Sequence, residues 1–219
     1  MKVRAVKMQI GGNKIMKKRI AGILIMMTMI VTMCVPVSFA SSGYAPKYGG
    51  IYKDGKNVYC GGFFGVTKIN LKSGKRTRIL KYKASPTTAG KFSKKGKWIY
   101  FEDGYGGRLY RYNKSTGKKQ IVYDSTTQQK GSLYDYAVRG KKVYIVTGDP
   151  YFYPEEAKYY VMKLNGKGIK PTKTKIKWKQ KYSNVKGYDI PYPSNSSTGK
   201  RKYYLITPKG KKYYLGYSN

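Results

Sequence analysis

The chain has 219 residues, with 46 Lys and Arg against 9 Asp and Glu and no His, which gives a formal net charge of +37 at pH 7. The absence of His excludes His-dependent catalytic triads and His metal sites. Aromatic residues make up 15% of the chain. A disordered basic segment would contain few of them, so the composition predicts a folded domain.

The chain begins with the pattern of an export signal. A basic stretch, Lys14–Arg19, precedes an apolar run, Ile20–Val35, and Pro36 ends that run. We therefore predict a signal helix within a signal peptide over residues 1–40. An uncleaved N-terminal anchor is the alternative, although the apolar run is shorter than the roughly 20 residues that a membrane span needs.

Small side chains at the end of this leader indicate where a signal peptidase would cut. We predict cleavage between Ala40 and Ser41, which would leave a mature domain over residues 41–219 and no membrane span. The expected location is therefore secreted or at the cell surface. Translation could begin at Met1 or at Met16, because the basic stretch follows Met16 directly.

The mature chain is predicted to be all-β, because aromatic strands alternate with glycine-containing turns along its length. Its clearest unit is Gly96–Gly117, in which two strands flank a glycine-rich turn. Weaker copies begin near Gly55 and Gly140, at a spacing of about 40–45 residues, which is typical of propeller blades. We predict repeats near 51–83, 92–124, 133–176 and 188–219.

Three segments of the mature chain are expected to depart from plain hairpins. The polar stretch Asp124–Lys130 is predicted to be a loop. Alternating charge over Lys170–Lys181 predicts an edge strand that lysines protect from further pairing. No window shows the apolar spacing of an amphipathic helix, so we expect no helix in the mature chain.

The second repeat carries a resemblance to a known family. Its strand Trp98–Phe101 followed by Arg108–Tyr112 is similar to the repeat of YWTD-type and related bacterial secreted β-propellers. The resemblance implies a β-propeller-like array of antiparallel blades. The mature length suits about four repeats, at the lower limit of known propellers, so the array could be a closed ring, open or incomplete.

No catalytic constellation is evident, and a carboxylate pair of the glycosidase type is the only enzymatic route left open. Ion pairing with lysines is expected to lower the pKa of each candidate acid and to make it a poor general acid. We therefore predict a non-enzymatic protein without metal or cofactor. The candidate acids, all in predicted turns, are Glu102, Asp103, Asp149, Glu155 and Glu156.

The only cysteine of the mature domain, Cys60, lies in a predicted strand between Tyr59 and Gly61. Such a thiol is expected in the core. A single cysteine allows no intrachain disulfide. An exported protein without a disulfide is compatible with a Gram-positive or anaerobic bacterial source.

The insertion Asp149–Glu156 is the predicted recognition loop. It is longer than the corresponding turn of the second repeat, and two prolines flank its aromatic tip. Loops on rigid scaffolds commonly carry function, so we predict Tyr151, Phe152 and Tyr153 as binding residues. The alternative is a packed loop that covers the edge of the array.

The leading functional hypothesis is a secreted or cell-surface adhesion module whose cationic surface attaches to anionic cell-envelope polymers or polysaccharide. One alternative is a carbohydrate-active propeller enzyme that uses a carboxylate pair. Another is a structural or interaction domain with a protein partner and no dedicated ligand. Export argues against nucleic acid as the physiological partner.

Overall fold

The computed structural model of the protein describes residues 49–81, 90–103, 107–149, 153–176, 183–191 and 201–218. All of them belong to the unit Tyr44–Asn219. The predicted signal helix, the cleavage site between Ala40 and Ser41 and the alternative N-terminal anchor lie outside the described residues. Within the described ranges, no helix is long and apolar enough to cross a membrane.

These ranges form four antiparallel sheets in which strands adjacent in sequence are neighbours. The first contains β1 (Gly49–Asp54), β2 (Asn57–Gly62), β3 (Gly65–Asn70) and β4 (Arg76–Leu80). The second contains β5 (Phe92–Lys95), β6 (Trp98–Glu102), β7 (Arg108–Asn113) and β8 (Lys119–Asp124). The third contains β9 (Leu133–Arg139), β10 (Lys142–Thr147), β11 (Lys158–Lys163) and β12 (Lys170–Pro171). The fourth contains β13 (Arg201–Ile206) and β14 (Lys212–Ser218).

The sheets confirm the predicted all-β array of antiparallel blades. Each of the first three sheets has four strands, as a propeller blade does. The fourth sheet has two strands, to which an isolated antiparallel bridge between Asp189 and Ile206 adds a short third segment. The described residues therefore form three full blade-like sheets and one incomplete sheet.

Two segments differ from the sequence-based expectation. The predicted loop Asp124–Lys130 contains one helical turn, α1 (Ser125–Gln128). The Asp124 carboxylate caps it by accepting a hydrogen bond from the Thr126 amide at 3.0 Å. Of the predicted edge strand Lys170–Lys181, Lys170–Pro171 forms β12, residues 172–176 are not in a strand, and residues 177–181 lie outside the described part.

Apolar side chains fill the spaces between successive sheets. One cluster joins the fourth sheet to the first, a second joins the first to the second, and a third joins the second to the third. Because both faces of the first two sheets are covered, their strands are buried at consecutive positions, as in Ile99, Tyr100 and Phe101. The sheets therefore pack against one another in the order fourth, first, second, third.

Ser183 links the first strands of two sheets. Its carbonyl accepts a hydrogen bond from the Ile51 amide of β1 at 2.6 Å, and its amide donates to the Gly90 carbonyl at 2.7 Å. Its hydroxyl accepts from the Phe92 amide of β5 at 2.7 Å. A side chain at Gly50 would collide with the Gly90 carbonyl, so the close approach of the two strands requires glycine there.

Candidate functional site

The two ends of the sheets can be distinguished by topology. In an antiparallel meander, the turns after the first and third strands lie at one end and the other connections lie at the opposite end. Contacts between sheets show that these ends coincide. Lys94 and Lys114 of the second sheet each lie 2.5 Å from the Asp54 carboxylate of the first. The Tyr213 hydroxyl of the fourth sheet donates to the Leu71 carbonyl of the first at 3.2 Å.

The third sheet is aligned in the same way, since the Arg111 guanidinium donates to the Leu164 carbonyl at 3.2 Å. We call the end with the tight turns the lysine end. Its turns contain no acid, and their lysines are exposed except for Lys114, which is half-buried. These lysines are Lys56, Lys72, Lys75, Lys97, Lys114, Lys118, Lys141, Lys167, Lys209 and Lys211.

Asparagine side chains shape three of these turns. The Asn70 side-chain oxygen accepts hydrogen bonds from the amides of Lys72 and Ser73 at 3.0 and 3.1 Å. Asn113 accepts in the same way from the amides of Ser115 and Thr116 at 3.0 and 3.2 Å. Asn165 accepts from the Lys167 amide at 3.2 Å. These bonds replace the backbone pairing that ends with each strand, and they hold the lysine-bearing turns in one conformation.

The acids are concentrated at the opposite end, which we call the loop end. All nine acids of the chain lie among the described residues, and only Asp54 and Asp189 lie at or beside the lysine end. Two ion pairs form at the loop end, Lys91–Asp135 at 2.5 Å and Arg108–Asp124 at 2.8 Å. The loop-end acids are Glu102, Asp103, Asp124, Asp135, Asp149, Glu155 and Glu156.

Glu102 corrects one sequence-based expectation. We expected lysines to lower the pKa of the candidate acids, but the pKa of Glu102 is raised to about 8. Burial of its carboxyl between the second and third sheets is the main cause, and the negative charge of Asp135 adds to it, while Lys91 opposes both. The expectation failed because burial outweighs the effect of Lys91, which forms its ion pair with Asp135.

Asp135 was not among the candidate acids. It is buried in β9, where it accepts hydrogen bonds from Lys91 at 2.5 Å and from the Tyr136 amide at 2.7 Å. Burial raises its pKa despite the bond from Lys91. The sequence offered one signal, an acid between two tyrosines within a predicted strand. Packing of the second sheet on the third brings Asp135 close to Glu102.

The other loop-end acids have ordinary structural roles. Asp103 is buried and accepts hydrogen bonds from the Arg108 amide at 3.1 Å and the Tyr110 hydroxyl at 3.5 Å. Burial works against ionisation of Asp124, but hydrogen bonds from Thr126 and Arg108 outweigh it and lower its pKa. Asp149 is half-buried, and Glu155 and Glu156 are exposed in the connection between β10 and β11.

Only part of the predicted recognition loop is described. Tyr153 is 55% exposed, its amide donates to the Asp149 carbonyl at 3.0 Å, and its carbonyl accepts from the Glu156 amide at 3.0 Å. Tyr151 and Phe152 lie outside the described residues. A binding role for the three aromatic residues therefore stays a prediction.

Cys60 is fully buried in the cluster between the first and fourth sheets, and this burial raises its pKa. The thiol is a core residue without thiolate character. Across the described ranges, no group of three or more Cys, Asp or Glu side chains is arranged to hold a metal ion.

No protein-family model matches the chain, and no match is found among curated protein sequences. Among solved structures, it is similar to the extracellular domain of a hybrid two-component system from B. thetaiotaomicron, with 14% identity and a TM-score of 0.42 over 79% of this chain and 24% of that one. The chain is also similar to a nidogen–laminin complex, with 13% identity and a TM-score of 0.37 over 77% of this chain and 64% of that one. For an oligogalacturonate lyase in complex with manganese, the identity is 11% and the TM-score is 0.33, over 77% of this chain and 54% of that one. The chain spans 22% to 65% of the length of these and other similar structures.

Proposed function

We propose that the protein is a secreted or cell-surface module, without enzymatic activity, that attaches to anionic cell-envelope polymers through its lysine end. The observation that supports this proposal is the separation of charge between the two ends of the sheets. Exposed lysines occupy the turns at one end, and most of the acids lie at the other. An anionic chain would therefore meet cations on one surface with few competing carboxylates.

Lysine chemistry suits attachment of this kind. An ammonium group is a hydrated point charge that attracts anions without demanding a fixed geometry, whereas arginine offers a planar fork for specific recognition. The lysines of the turns have no ion-pair partner in the described part of the chain, apart from Lys114 with Asp54. Binding would consequently release counterions and depend steeply on salt.

Retention on isolated cell walls, measured at increasing NaCl concentration, tests the proposal. The affinity should fall on the order of a hundredfold or more between about 50 and 200 mM salt, as for polyanion binding through several cations. Retention that does not change with salt would contradict attachment by the lysine end.

A matched pair of variants separates the lysine end from total charge. Replacing Lys72, Lys75 and Lys141 with Gln removes three exposed cations from the lysine end. Replacing Lys81, Lys130 and Lys158 with Gln removes three exposed cations from the loop end. The first variant should bind more weakly and with a shallower salt dependence than the second. Equal losses would favour a domain whose charge has no dedicated ligand.

One observation favours a second candidate, a carbohydrate-active enzyme that uses a carboxylate pair. Glu102 has a pKa of about 8, so it remains protonated at neutral pH and could act as a general acid beside Asp135. Lys91 lies 2.5 Å from the Asp135 carboxylate, and this ion pair opposes the effect of burial on the pKa of Asp135. Reducing-end release from envelope polysaccharides that disappears in both Glu102→Gln and Asp135→Asn would establish this candidate, and activity that survives in either would remove it.

Location depends on the leader and is tested separately. We infer from the export pattern that the mature protein begins at Ser41, so N-terminal sequencing of protein from the culture medium should yield the Ser41 terminus. A secreted or surface-bound chain that still begins before Ile20 would instead support an uncleaved anchor.

A further inference from the structure

Polar and charged side chains of the first and second sheets meet at the lysine end, beside the apolar cluster that joins these sheets. On the first sheet, strand register places Tyr52, Tyr59 and Lys68 side by side across β1, β2 and β3. Tyr59 faces the second sheet, where its ring contacts Tyr112 at a centroid distance of 6.3 Å. Lys114, two residues after Tyr112, directly follows the end of β7. We call the place where these side chains of both sheets meet the inter-sheet groove.

Three ammonium groups and one carboxylate meet in the groove. Lys94 and Lys114 each lie 2.5 Å from a different oxygen of Asp54. Lys68 donates to the Tyr112 hydroxyl at 3.4 Å and lies 5.6 Å from the centre of that ring. Hydrogen bonds from Lys114 and Lys94 lower the pKa of Asp54, so this carboxylate is ionised at neutral pH. The cluster therefore keeps an excess of positive charge.

The Tyr59 hydroxyl supplies a second, independent observation. Tyr59 is fully buried, and its hydroxyl has no hydrogen-bond partner among the residues that the structure describes. Burial raises its pKa first, and the neighbouring Tyr112, Asp54 and Tyr52 raise it further, which places the hydroxyl beside this cluster. A buried donor without an acceptor costs free energy. An acceptor that came within hydrogen-bond distance of this hydroxyl would recover that cost.

We propose that the inter-sheet groove binds a phosphate group of an anionic polymer, with Lys68, Lys94, Lys114 and the hydroxyls of Tyr59 and Tyr112 as donors. This inference rests on the proposed function and names the chemical class of its ligand. A carboxylate offers two acceptor oxygens, and the two oxygens of Asp54 pair with Lys94 and Lys114. Five donors from two sheets match the larger set of acceptor oxygens on a tetrahedral phosphate. Asp54 is then a resident anion that competes with the ligand.

The test compares two polymers of matched length and charge with the full chain. Polyphosphate carries phosphate groups, and polygalacturonate carries carboxylates. Binding of each is measured by calorimetry at fixed ionic strength, together with inorganic phosphate alone. Polyphosphate should bind more tightly than polygalacturonate, and inorganic phosphate should compete with it at millimolar concentration or below.

Two conservative variants should shift phosphate binding in opposite directions. Tyr59→Phe removes one donor and should weaken polyphosphate binding severalfold, with no change for polygalacturonate. Asp54→Asn removes the competing charge and should strengthen polyphosphate binding on the order of tenfold, because one charge about 4 Å away acts on the ligand near the surface. Thermal unfolding of each variant establishes that it is folded. Lys130→Gln, at the loop end, serves as the matched control and should change neither.

The outcomes separate this inference from the proposed function. If neither Tyr59→Phe nor Asp54→Asn changes polyphosphate affinity relative to Lys130→Gln, the groove is not the phosphate site. Salt-dependent binding of both polymers would in that case still support attachment by the lysine end. If neither polymer binds at low salt, both the proposed function and this inference are wrong.

Discussion

Glu102 makes the stability of the fold depend on pH. Its pKa rises from an ordinary value of 4.5 to about 8 in the folded protein. Between these values the folded state holds a proton that the unfolded state has lost, so the free energy of unfolding decreases as the pH rises through this window. Glu102→Gln should remove that decrease, measured as urea midpoints from pH 5 to pH 8.

The control for this prediction is Glu155→Gln, since Glu155 is exposed at the same end of the sheets. It should retain the wild-type dependence on pH. The interpretation fails if the Glu102→Gln protein loses as much stability between pH 5 and pH 8 as the wild type does.

Tyr59 leads to a prediction about stability that is independent of any ligand. Its hydroxyl is buried without a partner in the described part of the chain, whereas its ring packs between Tyr52 and Tyr112. Tyr59→Phe keeps the ring and removes the unpaired group. The free energy of unfolding in phosphate-free buffer should be unchanged or higher by about 1 kcal/mol. A loss of more than that in chemical denaturation would indicate that the hydroxyl has a partner in solution.

At the scale of the element, the Asn-capped turns stabilise the hairpins. Asn113 is buried, and its side-chain oxygen accepts two backbone hydrogen bonds in the turn between β7 and β8. Asn113→Ala would leave those amides without their partner and should cost about 1–2 kcal/mol in urea denaturation. Ser115→Ala, in the same turn, keeps the backbone donor and should cost little. Equal effects of the two changes would argue against the cap.

The strands and their repeat could be predicted because the required signals are local. The aromatic runs of β6 and β7 and the glycine in each turn depend only on neighbouring residues. The single turn of α1 was missed since four residues are too few for a helical period, although Asp124 is a typical N-cap. Within the described part of the predicted strand Lys170–Lys181, β12 ends at Pro171 and is shorter than predicted.

The candidate sites could be predicted only in part, because their residues come from different sheets. The charge of Asp135 acts on Glu102 only after the second sheet packs on the third, and no local pattern indicates that arrangement. The pairing of Asp54 with Lys94 and Lys114 likewise depends on how two sheets align. Cys60, in contrast, was correctly expected in the core, since a single apolar strand position was sufficient to indicate it.

At the scale of the whole molecule, the net charge of +37 implies repulsion that the fold must withstand. Added salt screens this repulsion over a distance of about 10 Å at 0.1 M. The thermal midpoint of the protein should therefore rise between about 20 and 200 mM NaCl, measured by circular dichroism. The few ion pairs would weaken over the same range, so a falling midpoint would mean that they outweigh the repulsion.

The bonds of Ser183 also bear on the order in which the chain can fold. Ser183 forms hydrogen bonds with β1 and β5, although it follows the whole third sheet in sequence. Likewise, Thr67 of β3 donates to the Leu215 carbonyl of the last strand. Contacts between such distant residues close long loops and slow folding. During synthesis, the hydrogen bonds of Ser183 to β1 and β5 can form only after residue 183 has emerged, so the first two sheets stay incomplete until most of the chain has been made.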